Sequence, residues 1–265
     1  MRRLFFKMTP TNPFAATREA LKGTVFSDVC YSPETDSTNA DALELLEQPE
    51  RNCGITIVTD FQHQGRGRRG RQWVAVPGSA LLFTTILPVS LDAASLWAVP
   101  FWCALAIKDA LAQHQVQSTL QWPNDVLLTG KKVAGILCVS RGTGARAWAA
   151  CGVGINVNRV SDAYADIEPA PAFVSDVAQT DRVTLLTTIL REFAASLKYL
   201  ENPSGVARRW EATSNLNGTP YRILIDGESE PIDAVAQRLG PQGGLVVRVN
   251  GAEREISFAD ARVLR

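Results

Sequence analysis

Two apolar, strand-like runs, Ile55–Asp60 and Ser79–Leu87, frame the segment Gly65-Arg66-Gly67-Arg68-Arg69-Gly70-Arg71. Its Gly-x-Gly-x-x-Gly spacing matches the dinucleotide-binding fingerprint letter for letter, but that fingerprint needs a helix opening from the loop. Here the chain runs into Trp73-Val74-Ala75-Val76-Pro77-Gly78 and a second strand. A strand–loop–strand unit therefore replaces the strand–loop–helix of a Rossmann half. Arginine stays charged in proteins and grips carboxylate or phosphate bidentately, while glycine lets the backbone approach a ligand closely. The whole chain carries 27 basic and 27 acidic residues. The loop is thus a local anion trap on a neutral protein, suited to a small anionic ligand more than to a long polyanion.

At 265 residues and 46% hydrophobic content, the chain can form one large domain or a main domain with a small appendage. Zero net charge argues against a general nucleic-acid or acidic-membrane surface. Met1-Arg2-Arg3-Leu4-Phe5-Phe6-Lys7 imitates the basic start of a signal peptide, yet its apolar stretch is too short. The longest apolar run, Leu96 to Ile107, is about half of a bilayer span and contains Pro100, so a soluble protein is expected. Cys30, Cys53, Cys103, Cys138 and Cys151 are scattered among apolar neighbours, which suits reduced core thiols in a cytoplasmic protein. His63 and His114 are the only histidines, almost no material for a zinc centre or a Ser-His-Asp triad.

Asp36-Ser37-Thr38-Asn39, a cluster of good capping residues, opens a short helix over Ala40–Leu46. Residues 93–115 read as helix, with Pro100 kinking it or starting its main part. Leu120–Leu128, Val133–Ser140 and Arg146–Val157 read as strands, 161–183 as loop, and 184–200 and 203–213 as helices. From Gly218 the texture changes to short β runs: Tyr221–Ile225, Ile232–Leu239, Gly244–Val249 and Glu253–Phe258. Asp226-Gly227, Gly240 and Asn250-Gly251 separate them, the last a strong hairpin signal. A compact barrel-like appendage follows, with a boundary near 215.

Three further segments read ambiguously by themselves. Trp122-Pro123-Asn124-Asp125 can be a simple turn. Gly130-Lys131-Lys132-Val133-Ala134-Gly135-Ile136-Leu137 sets lysine at a strand start, for solubility or for chemistry. Gly152-Val153-Gly154-Ile155-Asn156-Val157-Asn158 places amides among apolar residues, where they are usually structural, although Asn156 could equally read a ligand edge. Taken in order, Ser37-Thr38-Asn39, Gln62 with Gly65–Gly70, Trp122–Asp125, Lys132-x-Ala134-Gly135-Ile136-Leu137 and Gly154-Ile155-Asn156-Val157-Asn158 resemble the biotin–protein ligase family. The resemblance covers about residues 34–265.

That resemblance implies an α+β fold: a mixed β-sheet with flanking helices, the class II synthetase-like catalytic domain of biotin and lipoate ligases. Residues 1–215 would form it, and 216–265 a small SH3-like β-barrel domain. It implies that biotin is activated with Mg2+-ATP as biotinyl-5′-adenylate, releasing pyrophosphate. A specific lysine of a biotin carboxyl carrier domain, from acetyl-CoA carboxylase or a related carboxylase, then takes the biotinyl group. Ser37, Thr38, Asn39 and Gln62 would hydrogen-bond biotin's ureido ring and neighbouring polar atoms. Gly65, Arg66, Gly67 and Arg68 would fold over biotin and phosphate, with Arg66 and Arg68 the main cations. Arg69, Arg71 and Trp73 would lie on the ATP side, Asn156 would face the adenylate, and Asn124 and Asp125 would place substrate or metal, Asp125 through Mg2+-ATP. Lys132 would bridge biotin's carboxyl oxygen and the α-phosphate, stabilising transition-state charge. Gly135, Ile136 and Leu137 would wall the bicyclic ring and valeryl chain. No histidine base is needed, because the attacking lysine comes from the partner.

Gln121 stands where the family usually has lysine, removing one cation near the phosphates, and Gln64 precedes the loop where a small residue is common. Some members carry an N-terminal helix-turn-helix; about 35 residues precede Ser37, so a monofunctional ligase without operator binding is expected. No membrane partner is expected, and a homodimer is allowed. The glycine content leads us to expect a loop mobile in the free protein. The alternative on the same fold is a lipoate or octanoate ligase or transferase, whose members lack the Gly-Arg loop with Trp-Pro-Asn-Asp. A nucleic-acid-binding module would need a basic domain, which the neutral charge opposes.

Overall fold

The computed structural model describes residues 12–160, 163–257 and 261–264; the basic start, Met1–Lys7, lies outside them. The larger part contains α1 (Ala15–Ala20), β1 (Val29–Thr35), α2 (Thr38–Leu45), α3 (Pro49–Asn52), β2 (Thr56–Gln62), β3 (Ala80–Ile86) and β4 (Leu91–Asp92). There follow α4 (Ala98–Gln113), β5 (Thr119–Gln121), β6 (Asp125–Leu128), β7 (Lys131–Thr143), β8 (Arg146–Asn156), α5 (Arg182–Ser196) and α6 (Pro203–Ser214). The tail contains β9 (Pro220–Ile225), β10 (Ile232–Leu239), β11 (Leu245–Val249), β12 (Ala252–Ile256) and β13 (Ala261–Leu264).

The first sheet runs β1-β2-β3-β8-β7-β6-β5, with β4 added beside β8. Its β1–β2 pair is parallel and the others are antiparallel, the expected mixed sheet. Side chains alternate across a strand, so Ile57 and Val58 in β2 face opposite ways although both are fully buried. Ile57 joins Ala42, Leu46, Ile86 and Ala150 beneath α2. Val58 joins the main core with Phe83, Phe193 of α5 and most of α4. Because both faces are covered, β3 is buried along its whole length. Helix α4 is apolar almost all round, as an interior helix must be. Pro100 sits in its first turn, where the missing N–H removes no intrahelical bond.

Three local readings change. The expected strand Leu120–Leu128 is a hairpin, in which Gln121 pairs with Asp125 around Trp122-Pro123-Asn124. Proline cannot donate to a ladder, so the strand stops there. The helix expected from residue 93 begins at Ala98, after a 3-10 turn over Ala93–Ser95. The expected loop to 183 ends sooner, because the Asp181 carboxylate accepts from the Val183 and Thr184 amides and caps α5.

The tail forms a second, antiparallel sheet ordered β12-β11-β10-β9-β13. Four of its strands match the expected runs; β13 was not anticipated, and Phe258 lies outside the described residues. This sheet is fastened to the Trp122 hairpin. The fully buried Trp122 donates its indole N–H to the Gly243 carbonyl at 3.0 Å and its amide to the Tyr221 hydroxyl at 3.3 Å. Among the described residues, no helix is long and apolar enough to cross a membrane.

Candidate active site

Pairing of β7 with β8 sets Gly135 opposite Gly154 and Leu137 opposite Gly152. These residues share one face of the sheet, while Cys138 and Cys151 share the other and meet Cys103 of α4. The glycines leave a floor of bare backbone. A Cβ at Gly154 would stand 2.5 Å from the Trp73 indole, one at Gly135 2.8 Å from Lys132 Nζ, and one at Gly152 would overlap the Asn39 amide. Trp73 and Lys132 lie over this floor, and the cavity they leave encloses about 120 Å3. Small-molecule sites commonly enclose roughly 300–1,000 Å3. The Trp73 Nε1 is buried without a hydrogen-bond partner. An unpaired buried donor costs about 1–3 kcal/mol, so a ligand that pairs or moves the indole recovers that cost.

One end of the cavity is a buried hydrogen-bond lattice. Thr38 begins α2, and its amide and hydroxyl both donate to Gln62 Oε1, at 2.9 and 3.1 Å. Ser37 occupies the cap position without capping through its side chain, so Gln62 of β2 serves the helix end instead. Asn39 donates from Nδ2 to the Leu137 carbonyl at 2.9 Å and accepts from the Thr84 hydroxyl at 2.8 Å. Three strands and α2 are tied together here. Ser37 and Gln62 both line the cavity.

The other end is cationic. The arginine loop closes on itself as a hairpin, with Trp73 N donating to Gly65 O at 2.9 Å and Gly67 N to Arg71 O at 2.7 Å. Arg66, Arg68, Arg69 and Arg71 all reach the cavity wall. Burial and the adjacent Arg69 guanidinium lower Arg68 from its ordinary value, with Asp125 acting the other way; the side chain remains a cation. Lys132 Nζ pairs with the Asp125 carboxylate at 2.7 Å and lies 5.4 Å from the Trp73 ring centre.

The structure therefore brings nearly all the expected site residues to one place. Ser37, Thr38, Asn39 and Gln62 line one end; Arg66, Gly67, Arg68, Arg69, Arg71 and Trp73 the other. Asn124, Asp125, Lys132, Gly135 and Leu137 line the same cavity. Gly65 falls in the adjoining groove. Asn156 is the exception: its amide donates to the Ala172 carbonyl at 3.2 Å and reaches the Lys132 carbonyl at 3.5 Å, bracing the Lys132 backbone from behind. Asn124 also braces, donating to the Ile136 carbonyl at 2.6 Å. His63 pairs with Glu34 at the surface.

Gly152 and Gly154 complete the floor, and their i, i+2 spacing in a strand is the signal that could have found them. Thr84, behind Thr38 and Asn39, carries no motif. Arg262 and Val263 of β13 also reach the wall, and nothing local in the sequence marks them.

The model of the "Biotin/lipoate A/B protein ligase family" matches residues 31–156, from β1 to the end of β8. The Bacillus subtilis bifunctional ligase/repressor BirA is 31% identical over 249 residues, which cover 87% of this chain and 72% of that protein. The chain belongs to that family. A Mycobacterium tuberculosis biotin–[acetyl-CoA-carboxylase] ligase is 29% identical over 240 residues, covering 88% of this chain and 87% of that protein. Among solved structures, the biotin protein ligase from Aquifex aeolicus in complex with biotin and ATP superposes with a TM-score of 0.72 at 25% identity, covering 91% of this chain and 100% of that one. The family segment holds the polar end, the arginine loop and Lys132, whereas the β13 residues on the cavity wall lie beyond it.

Proposed function

We infer that this protein activates biotin with ATP as biotinyl-5′-adenylate, releasing pyrophosphate, and transfers the biotinyl group to a lysine of a biotin carboxyl carrier domain. One observation carries this reading. Around a single glycine-floored cavity, in a member of this family, a hydrogen-bonding end, an arginine loop and Lys132 meet.

Adenylation needs the carboxylate of biotin to attack the α-phosphorus of ATP, so two anions must approach. Arg66 and Arg68 offset their repulsion, and Lys132 bridges the carboxyl and α-phosphate oxygens as the new P–O bond forms and pyrophosphate leaves. Ser37, Thr38 and Gln62 supply donors and acceptors for a ureido ring. A dithiolane ring offers them nothing, and a site built to hydrogen-bond rejects a ligand that leaves its polar groups unpaired. That disfavours lipoate. In the second step the carrier lysine attacks the acyl carbon and AMP leaves.

Mg2+ takes few protein ligands and is usually held by one or two carboxylates plus substrate phosphates. Asp125 is the carboxylate on this cavity wall, and the described residues contain no cluster of three potential metal ligands. This fits an ion carried in with ATP, neutralising phosphate charge when bound. We assign the chemistry to residues 1–215 and treat 216–265 as a separate small domain lending Arg262 and Val263 to the wall. The free cysteines suit a cytoplasmic location.

The test is exchange of labelled pyrophosphate into ATP, with biotin and lipoate in parallel. Exchange with biotin and not with lipoate is expected. Exchange with lipoate alone would overturn the substrate, and exchange with neither would overturn the activation step.

A further inference from the structure

Arg69 is the loop's left-handed residue other than glycine, at φ 57° and ψ 44°. That region is sparsely populated when a Cβ is present. From there its guanidinium forks onto the Asp226 carboxylate, Nη1 on Oδ1 and Nη2 on Oδ2, the latter at 2.7 Å. Asp226 belongs to the turn between β9 and β10, 157 residues away in sequence. Beside this pair, Arg71 Nη2 donates to the Val263 carbonyl of β13 at 3.3 Å. Two loop arginines thus reach the small sheet. That sheet is itself fixed to the Trp122 hairpin through Gly243 and Tyr221.

We propose that Asp226 is a positioning residue: by gripping Arg69 it latches the arginine loop closed over the cavity, so the small sheet governs how long the acyl-adenylate is retained. This rests on the function inferred above. The loop's internal bonds close its base, between Gly65 and Trp73 and between Gly67 and Arg71. The fork holds its tip, and a two-point guanidinium–carboxylate contact fixes direction as well as distance. The Asp226 side chain is 62% exposed and that of Arg69 22%. An ion pair so open to water is weak and reversible. Reversibility is what the reaction requires, because a mixed anhydride must be kept from water until a carrier lysine arrives, and the loop must then yield.

The test compares the parent with Asp226→Asn, which keeps the size and removes the charge, and Asp226→Glu, which keeps the charge. Two quantities are measured at low and high NaCl: hydrogen exchange over residues 65–73 in the ligand-free chain, and release of preformed adenylate. In the parent, salt is expected to lower loop protection and speed release by about fivefold, the upper range for an exposed pair. Asp226→Asn should show the high-salt behaviour at both concentrations, with KM for biotin within about twofold of the parent, and Asp226→Glu should recover most of the difference. Parent-like protection in Asp226→Asn would overturn the latch. Lost protection with unchanged release would overturn its role in retention. If the parent forms no adenylate, the functional reading fails, while the exchange measurement still decides the latch.

Discussion

The two ends of the cavity are held by opposite means. At the polar end Thr38, Asn39 and Thr84 are at most 8% exposed, and each is bonded to a different element. At the arginine end, an ion pair from Arg69 and a hydrogen bond from Arg71 reach a second sheet, both made in reach of water. Buried hydrogen bonds are expensive to leave unmade, whereas exposed charge pairs exchange with solvent at little cost. The difference teaches how one site can be both selective and processive. On the proposed reading, the end that recognises biotin is preorganised and the end that covers the reacting groups can let go.

Lys132 pairs with Asp125 beside the Trp73 ring, and its loss is expected to have the largest effect. Lys132→Ala should lower biotin-dependent pyrophosphate exchange by about 10²–10³, with biotin affinity changed far less. Equilibrium binding and exchange rates on the same preparation would measure both. A fall of less than about tenfold would mean that the arginine end stabilises the transition state without it, and the division between the two ends would break.

A smaller effect is expected from Thr84→Val, which sharpens the comparison because Thr84 does not line the cavity. Its hydroxyl lies 2.8 Å from both Thr38 Oγ1 and Asn39 Oδ1 and can donate to either. Removing it leaves a buried acceptor short of a donor, so the unfolding free energy should fall by about 1–3 kcal/mol in urea titrations. KM for biotin should rise several-fold while kcat holds. An unchanged KM would show that the lattice is merely structural.

How much of this could be read in advance follows from the range of the interactions. Thr38, Gln62 and the arginine loop are legible because each belongs to a contiguous motif. Gly135 is legible for the same reason, but its partner Gly154 becomes part of the floor only once the β7–β8 register is known. Strand β1 went unread: Val29-Cys30-Tyr31-Ser32-Pro33-Glu34-Thr35 contains a proline and few apolar residues, a composition tolerated at a sheet edge and easily mistaken for loop. Asp226, Arg262 and Val263 lie in the small sheet, and how that sheet docks against the first is set by tertiary packing around Trp122. The capping cluster marks the start of α2, but the helix begins at Thr38, inside the cluster and not after it, and Gln62 rather than Ser37 serves the helix end.

The smallest effect should come from a site that belongs to neither end. Asp181 caps α5, on the face of the sheet opposite α2. Burial raises its carboxyl, but the Thr184 hydroxyl at 2.6 Å and the Val183 and Thr184 amides at 2.9 Å outweigh that, holding it below the usual carboxylate value. A carboxyl depressed in the folded state binds fewer protons there than in the unfolded chain. Its contribution is therefore complete above the ordinary carboxylate range, near pH 4, and drains away as pH falls through the folded value. Asp181→Ala should lower the unfolding free energy by about 1 kcal/mol at neutral pH. The gap from the parent should narrow steadily in acid, read from urea midpoints at several pH values. KM for biotin and the adenylate release rate should not move. If either does, the polar end owes its order to the helix packed behind the sheet as well as to its own hydrogen bonds, and the contrast between a self-contained rigid end and a yielding one gives way to a site braced from behind.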